Sequence, residues 1–471
     1  MHLTDRIIDI PLDEDNILLI NSISSALDIV DKPTYEKIKN FKNGKPIGDM
    51  KLLGQLKQRG YIFENDSDED KLINKFSEFH EQMSKFNRNL VFTICPTMGC
   101  NLRCVYCFEG DDNLSNPKIM TEGQLHTIFD FIDKTIAEQY ELVKNMKVNG
   151  EDADPSEIFK AQISIFGGEP LLLKNRPLIE EILEFGKERS LGVSIITNGT
   201  TIDKYIDLLK QYDNVAVQIT LDGSKSIHDT RRVGVNKTGT FDKIIESVDI
   251  LDNAGINVHL RTNVNEDNIE SISELRDFII EKGWHNSKNI YPYVAPVMDY
   301  CDGKNNSMPE SVLYREVLKI EPNLGKEEAV IKTVSAPNIN FINEFFTDKK
   351  SMKPWKLGYC EATSGGNFVF SPNGDITTCL MLAGHCEELI GTYDDDGVYI
   401  KEDLNSKWAD RTVTRIDRCS KCQFGFLCGG GCPVAAIDLN NDIDCPVCSD
   451  IKDTLVEFVT YNKDKIINGE M

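Results

Sequence analysis

Three cysteines, Cys100, Cys104 and Cys107, stand in a C-x3-C-x2-C loop with Tyr106 just before the last thiol and Phe108 just after it. Soft sulfur donors hold iron–sulfur clusters, and three donors on one loop leave one iron of a cubane without a protein ligand. An open iron can bind a substrate. The same thiols could instead form a structural zinc site with a fourth ligand such as Cys95, although pairs of C-x2-C are the usual zinc spacing. Further along, Gly167-Gly168-Glu169-Pro170 combines glycines, which allow close backbone approach, with a carboxylate; alone, such a run is more often only a turn. A second set of thiols reads C-x13-G-x4-C over Cys360, Gly374 and Cys379, then C-x2-C-x5-C-x3-C over Cys419, Cys422, Cys428 and Cys432. Cys386 falls in the gap, and Cys445 and Cys448 follow. A pair of zinc ribbons is the competing reading of this region.

Composition sets the frame for this chemistry. The chain has 471 residues, 40% of them hydrophobic, enough for about three domains of ordinary size. Acidic residues outnumber basic ones 76 to 52, a net charge of −24 that repels nucleic acid and anionic membrane. Met1 to Ile10 carries Asp5, Arg6 and Asp9 among its apolar residues and lacks the apolar core of a signal peptide, and no apolar run reaches membrane-spanning length. The expected address is the cytoplasm, where thiols stay reduced, so fourteen cysteines point to metal ligation rather than disulfides. Cys95 and Cys301 are expected to be buried thiols without a metal.

The elements that must position these groups are legible as periodicity. From residue 1 to 87, short strands at Ile7–Ile10, Ile17–Ile20 and Ala26–Val30 precede helical runs at Thr34–Phe41 and Met50–Arg59 and a connecting helix at Lys71–Phe86. Residues 88–298 alternate strand and helix, with strands at Leu90–Ile94, Ile163–Phe166, Val193–Ile196, Val215–Thr220, Ile256–Thr262 and Ile290–Val294. Six βα repeats fit an α/β fold of the partial-barrel kind, with a doubly wound sheet as the alternative. Either fold gathers ligands at the C-terminal strand ends, where the first cysteines, Gly167–Pro170 and Thr197-Asn198-Gly199 all lie. Residues 299–355 carry no readable motif and are expected to bridge to a cysteine-rich domain at 356–471.

The run Cys-Asn-Leu-Arg-Cys-Val-Tyr-Cys-Phe-Glu from Cys100 to Glu109 resembles the signature of the radical S-adenosylmethionine (SAM) superfamily. The resemblance implies a partial (β/α)6 TIM-like barrel in which the amino and carboxylate groups of SAM chelate the open iron and Gly167, Gly168, Glu169 and Pro170 contact the amino group. It also implies reductive cleavage of SAM to a deoxyadenosyl radical that takes a hydrogen atom from the substrate. Tyr106, Asn198, Thr220 and Arg232 fall where cosubstrate contacts are expected, and Asn263, in Arg261-Thr262-Asn263, is expected near the ribose. The later cysteines resemble the SPASM extension, which holds two auxiliary [4Fe–4S] clusters, making three in all. Carried over by position, Cys360, Cys379 and Cys432 hold the first, with Cys386 or an open iron as fourth ligand. Cys419, Cys422 and Cys428 hold the second, with Cys448 preferred to Cys445.

The segments Leu18-Leu19-Ile20-Asn21 and Leu27-Asp28-Ile29-Val30, ahead of short helices, resemble the winged-helix-like recognition element of maturases of ribosomally made peptides (RiPPs). That implies a precursor peptide held through its leader by strand addition, and a low-potential electron donor of the flavodoxin or ferredoxin type. The expected product is a thioether between cysteine and a carbon, as in sactipeptides and ranthipeptides. A sulfatase-type maturase, which makes an aldehyde from cysteine or serine, is the nearer alternative; there an Asp commonly follows the position of Cys379, whereas here Leu380 does. An iron–sulfur electron carrier without chemistry of its own is the distant one.

Overall fold

The computed structural model describes residues 1–86, 89–109, 117–148, 151–152, 154–298, 307–347, 355–385 and 388–471. Near the start, β1 (Ile7–Pro11), β2 (Asn16–Asn21) and β3 (Ala26–Asp31) form an antiparallel sheet in which Ile8 faces Ile20 and Ile20 faces Leu27. Asp31 ends β3 and caps α1 (Lys32–Lys42), accepting from the Thr34 amide, while Pro33 occupies a first-turn position that needs no amide hydrogen. Asp49 caps α2 (Met50–Gln58) in the same way through Leu52. One sheet face packs on these helices through Ile17, Leu19, Ile38, Leu56 and Tyr61. The other face, with Ile8, Ile10, Leu18 and Ile20, is buried against helices from far along the chain. Among the described residues β3 is paired on one side only.

After α3 (Asp66–Phe86), six parallel strands follow in sequence and in space: β4 (Leu90–Ile94), β5 (Ala161–Ile165), β6 (Gly192–Thr197), β7 (Val215–Thr220), β8 (Asn257–Val264) and β9 (Ile290–Pro296). Near-continuous apolar runs form them because helices cover the outer face. These are α4 (Glu122–Val143), closed at its start by a Thr121–Gln124 capping box, α5 (Arg176–Glu188), α6 (Phe241–Asn253) and α7 (Ile272–Glu281). The sheet has two ends and does not close, as the partial-barrel reading expects.

Two features add to this frame. Within the stretch read as a bridge, residues 307–347 carry α8 (Glu310–Ile320), β10 (Thr333–Val334) and α9 (Pro337–Thr347), which pack on α10 (Ile451–Ile467) through Leu313, Val317, Phe345, Phe346 and Phe458, and β10 adds to the sheet beside β9. At the other end, β11 (Asn367–Phe370), from the cysteine-rich region, pairs in parallel with β4, and β12 (Asp375–Thr377), β13 (Gly391–Tyr393) and β14 (Val398–Ile400) extend it antiparallel. The sheet thus has eleven strands and joins both cysteine-bearing regions.

Candidate functional site

The first cysteine loop leaves the C-terminal end of β4. Leu102–Cys104 pairs antiparallel with Arg232–Gly234, which sets Arg232 opposite Cys104 and ties the loop to the segment after β7. Burial pushes the Cys100 thiol up to about 12 and Cys107 up to about 11, and raises Cys104. A metal bound here would have to replace the protons of these thiols. Among the described residues no three thiols lie within 4.8 Å of one another. The three groups that do converge, Glu122, His126 and Glu181, lie on the outer helices.

The Gly-Gly-Glu-Pro turn, after β5, is seated directly on this loop. A Cβ on Gly168 would stand 2.2 Å from the Met98 carbonyl oxygen; one on Gly167, whose φ is +115°, would stand 2.3 Å from that of Thr97. The glycines therefore admit the cysteine loop itself. The Glu169 amide donates to the Gly99 carbonyl at 2.9 Å. Its carboxylate, fully buried and raised in pKa by that burial, accepts from Thr197 Oγ1 (2.6 Å) and the amides of Leu171 (2.9 Å) and Asn198 (2.7 Å). Of about four acceptor positions, one on Oε2 stays open for an ammonium group. The Pro170 carbonyl accepts from Asn175, which fixes the turn's exit. Asn198 holds the loop from β6: its Nδ2 donates to Asn101 at 2.8 Å and reaches Cys100 Sγ at 3.8 Å.

Tyr106, Arg232 and Asn263 meet around a residue that the sequence reading did not single out, Asp222. The Tyr106 hydroxyl donates to the Asp222 carboxylate and accepts from Arg232 Nη1 (2.8 Å) and Asn263 Nδ2 (3.2 Å). The Asn263 amide donates to Asp222 Oδ1 at 2.9 Å, and the Arg231 guanidinium stacks over the Tyr106 ring. Burial is complete at Asp222, so this network locks the cysteine loop onto β7 and β8. The sequence signal for Asp222 was its place two residues after β7, beside Thr220.

Above the network a cavity of about 190 Å³ opens at the strand ends. Thr220 and Gln218 of β7 and Arg261 and Asn263 of β8 line it, each pair two residues apart on one strand face, and Phe108 and Met381 help close it. Among the described residues no carboxylate lines it. Phe108 stacks on Phe166, placing the residue after the third thiol in the wall. Met381 arrives from the cysteine-rich region, so no local signal could have placed it here.

The later thiols fall into two neighbourhoods. Burial raises Cys360 to about 11, with Cys432 its leading electrostatic neighbour, and Cys379 and Cys432 both pack on the barrel core. Burial likewise raises Cys419 to about 11, with Cys428, Cys422 and Cys448 the thiols acting on it. Cys445 and Cys448 are both exposed. Cys386 and Cys301 lie outside the described residues, and Cys95 is fully buried as expected.

Residues 94–279 match the family model of the Radical SAM superfamily. This stretch is a radical SAM domain. The chain is 24% identical over 357 residues to a cysteine-type anaerobic sulfatase-maturating enzyme of Clostridium novyi, covering 73% of this chain and 88% of that protein. Among solved structures, native anSMEcpe with bound AdoMet and Kp18Cys peptide matches at TM-score 0.58 and 19% identity, covering 81% of this chain and 99% of that one. Streptococcus suis SuiB bound to precursor peptide SuiA matches at 16% identity and covers 95% of this chain and all of its own, with a TM-score of 0.52. The radical SAM domain is thus embedded in a fold shared with peptide-bound enzymes, and the SuiB likeness extends over nearly the whole length. No helix among the described residues is long and apolar enough to cross a membrane.

Proposed function

We propose that this chain is a radical SAM peptide maturase that forms thioether cross-links in a ribosomally made precursor peptide, whose leader is held by the N-terminal module. The observation that carries this reading is a groove of about 640 Å³ between β3 and α2, lined by Ile29, Val30, Leu52 and Tyr61 and flanked by Asp31 and Arg59. It runs beside the unpaired edge of β3, where an extended peptide can add a strand and set alternate side chains into the groove. The match to anSMEcpe covers 81% of this chain and the match to precursor-bound SuiB 95%, so the second takes in more of the chain than the first.

Cys100, Cys104 and Cys107 would hold the SAM-binding [4Fe–4S] cluster, and the two later neighbourhoods of thiols two auxiliary clusters. The bound cluster and cosubstrate would supply a radical able to take hydrogen from an unactivated C–H bond, which acid and base groups cannot do. The chain's own residues supply the rest. Glu169 offers its open Oε2 position to the cosubstrate amino group. The Tyr106–Asp222–Arg232 network keeps the cysteine loop rigid, and Phe108, Val297 and Met381 shield the cavity from water. Arg261 and Gln218 orient polar groups of the substrate within it.

A second reading, a formylglycine-forming maturase, is favoured by the likeness to the sulfatase-maturating enzyme of C. novyi. Against it, Leu380 stands where a base is expected and packs among Cys95, Met98, Val369 and Ala383. The two separate under anaerobic incubation of reconstituted enzyme, reductant and SAM with a cysteine-containing precursor peptide, followed by tandem mass spectrometry. A thioether makes the peptide lighter by two hydrogens and removes one free thiol per bond. An aldehyde at cysteine would instead establish the second reading.

A further inference from the structure

Between Cys428 and Cys432 the chain runs through Gly429, Gly430 and Gly431, all buried and all left-handed, with φ of +78°, +89° and +72°. Three such residues in succession are strained for any L side chain, and space forbids one as well. A Cβ on Gly429 would stand 2.5 Å from the Gly358 carbonyl oxygen, one on Gly431 2.1 Å from that of Val447, and one on Gly430 3.0 Å from Ile416 Cδ1. The bridge is therefore clasped by the segments that lead into Cys360, Cys448 and Cys419. In the reading proposed above, on which this inference rests, Cys428 and Cys432 serve different auxiliary clusters, so the three glycines span the gap between them.

Two buried cations grip this bridge. The Arg411 side chain, 1% exposed, donates Nη1 to the Gly431 carbonyl (2.8 Å), Nη2 to that of Gly430 (3.0 Å) and Nε to that of Ile443 (2.5 Å). All three bonds end on neutral carbonyls. The ionisable groups that act on Arg411 are Asp444 and three thiols, Cys419, Cys432 and Cys360, which come from both neighbourhoods. The Lys356 stem packs where a Cβ on Gly429 would go, its amide donates to Phe426, and its ammonium donates to the Pro337 carbonyl at 2.9 Å. Its charge-bearing neighbours are Cys428, Glu310 and Cys360. Glu310 accepts from Asn338 and Ile339, and the ammonium also lies over the Tyr359 ring at 4.7 Å and the Phe341 ring at 5.8 Å.

A buried cation without a bonded carboxylate needs anionic company. A cubane bound by thiolates carries net negative charge, and reduction adds one more. We propose that Arg411 and Lys356 are positioning residues that hold the glycine bridge between the two auxiliary clusters and raise the reduction potentials of both. Net charge and hydrogen bonding are the levers by which a protein sets such potentials.

The test uses the full chain carrying Cys100→Ala, Cys104→Ala and Cys107→Ala, so that only auxiliary clusters contribute after anaerobic reconstitution. Iron content and potentiometric titration followed by electron paramagnetic resonance are read for Arg411→Met, Arg411→Lys and Lys356→Met. Arg411→Met is expected to load iron as the parent does and to disfavour reduction at least tenfold, a fall of 59 mV for a one-electron couple. Arg411→Lys, which keeps the charge, should stay within that tenfold. The proposal is overturned if Arg411→Lys shifts the midpoint as far as Arg411→Met, or if Arg411→Met and Lys356→Met both load iron and move no midpoint. Should Arg411→Met fail to fold, the shift in Lys356→Met decides alone. A triple-Ala parent that binds no iron would overturn the auxiliary-cluster reading itself.

Discussion

At the scale of single residues, the site is built by contacts that leave no room for substitution. Gly168 is the sharpest case: with Met98 and Gly99 carbonyls 2.2 and 2.6 Å from a Cβ, Gly168→Ala must push the cysteine loop away from the turn. Overpacking of this kind costs about 1–3 kcal/mol, so a lower melting temperature is expected together with loss of deoxyadenosine formation. Asp222→Asn tests the network. It removes the charge that answers Arg231 and Arg232 and leaves two buried guanidinium groups facing a neutral amide, a change that costs about 3–5 kcal/mol when a buried partner is lost. Denaturant unfolding should show the loss, and the variant should bind SAM more weakly even where it folds. The thiols of this site were legible because their spacing is local. Asp222 was not, since its importance rests on Tyr106, 116 positions away, and nothing in Leu221-Asp222-Gly223 announces that partner.

Among elements, the junction of α8 and α9 carries a pH dependence. Glu310 is buried and accepts from the Asn338 and Ile339 amides and from the Asn338 side chain, and burial pushes its carboxyl up to about 7 from 4.5. The fold holds this proton more tightly than the unfolded chain does. Its contribution is therefore full below about pH 4.5 and lost as pH rises through about 7, worth about 3 kcal/mol at 1.36 kcal/mol per unit. Glu310→Gln, which does not titrate, should flatten that part of a stability-versus-pH curve measured by denaturant unfolding. The edge of β3 gives a functional counterpart. Ile29, 40% exposed in the groove, becomes a charge in Ile29→Asp, which should weaken binding of a labelled precursor peptide by on the order of tenfold while deoxyadenosine formation without peptide stays unchanged. The strands and helices of this module were readable from short apolar runs and from apolar residues at helical spacing. Its docking was not, because the two apolar faces of β2, Ile17 and Leu19 against Leu18 and Ile20, look alike in sequence yet face different partners.

For the whole molecule, the order of the central strands followed from repeated apolar runs, but the join between its cysteine-bearing regions did not. Parallel pairing of Asn367–Phe370 with Leu90–Ile94 has no local mark, and the glycines just before it read as loop. The pairing nonetheless governs how the chain can be divided. A fragment ending at residue 355 would keep the full stretch 94–279 and the first three thiols, yet β4 would lose one of its two neighbours. Bare N–H and C=O groups along an apolar strand recruit other chains, so this fragment should elute as aggregate in size-exclusion chromatography where the full chain does not. Descent faces the same obstacle as the bench: a lineage could shed or acquire the cysteine-rich region only by supplying a new occupant for the berth beside β4, which makes simple end-to-end fusion a poor account of how such enzymes arose.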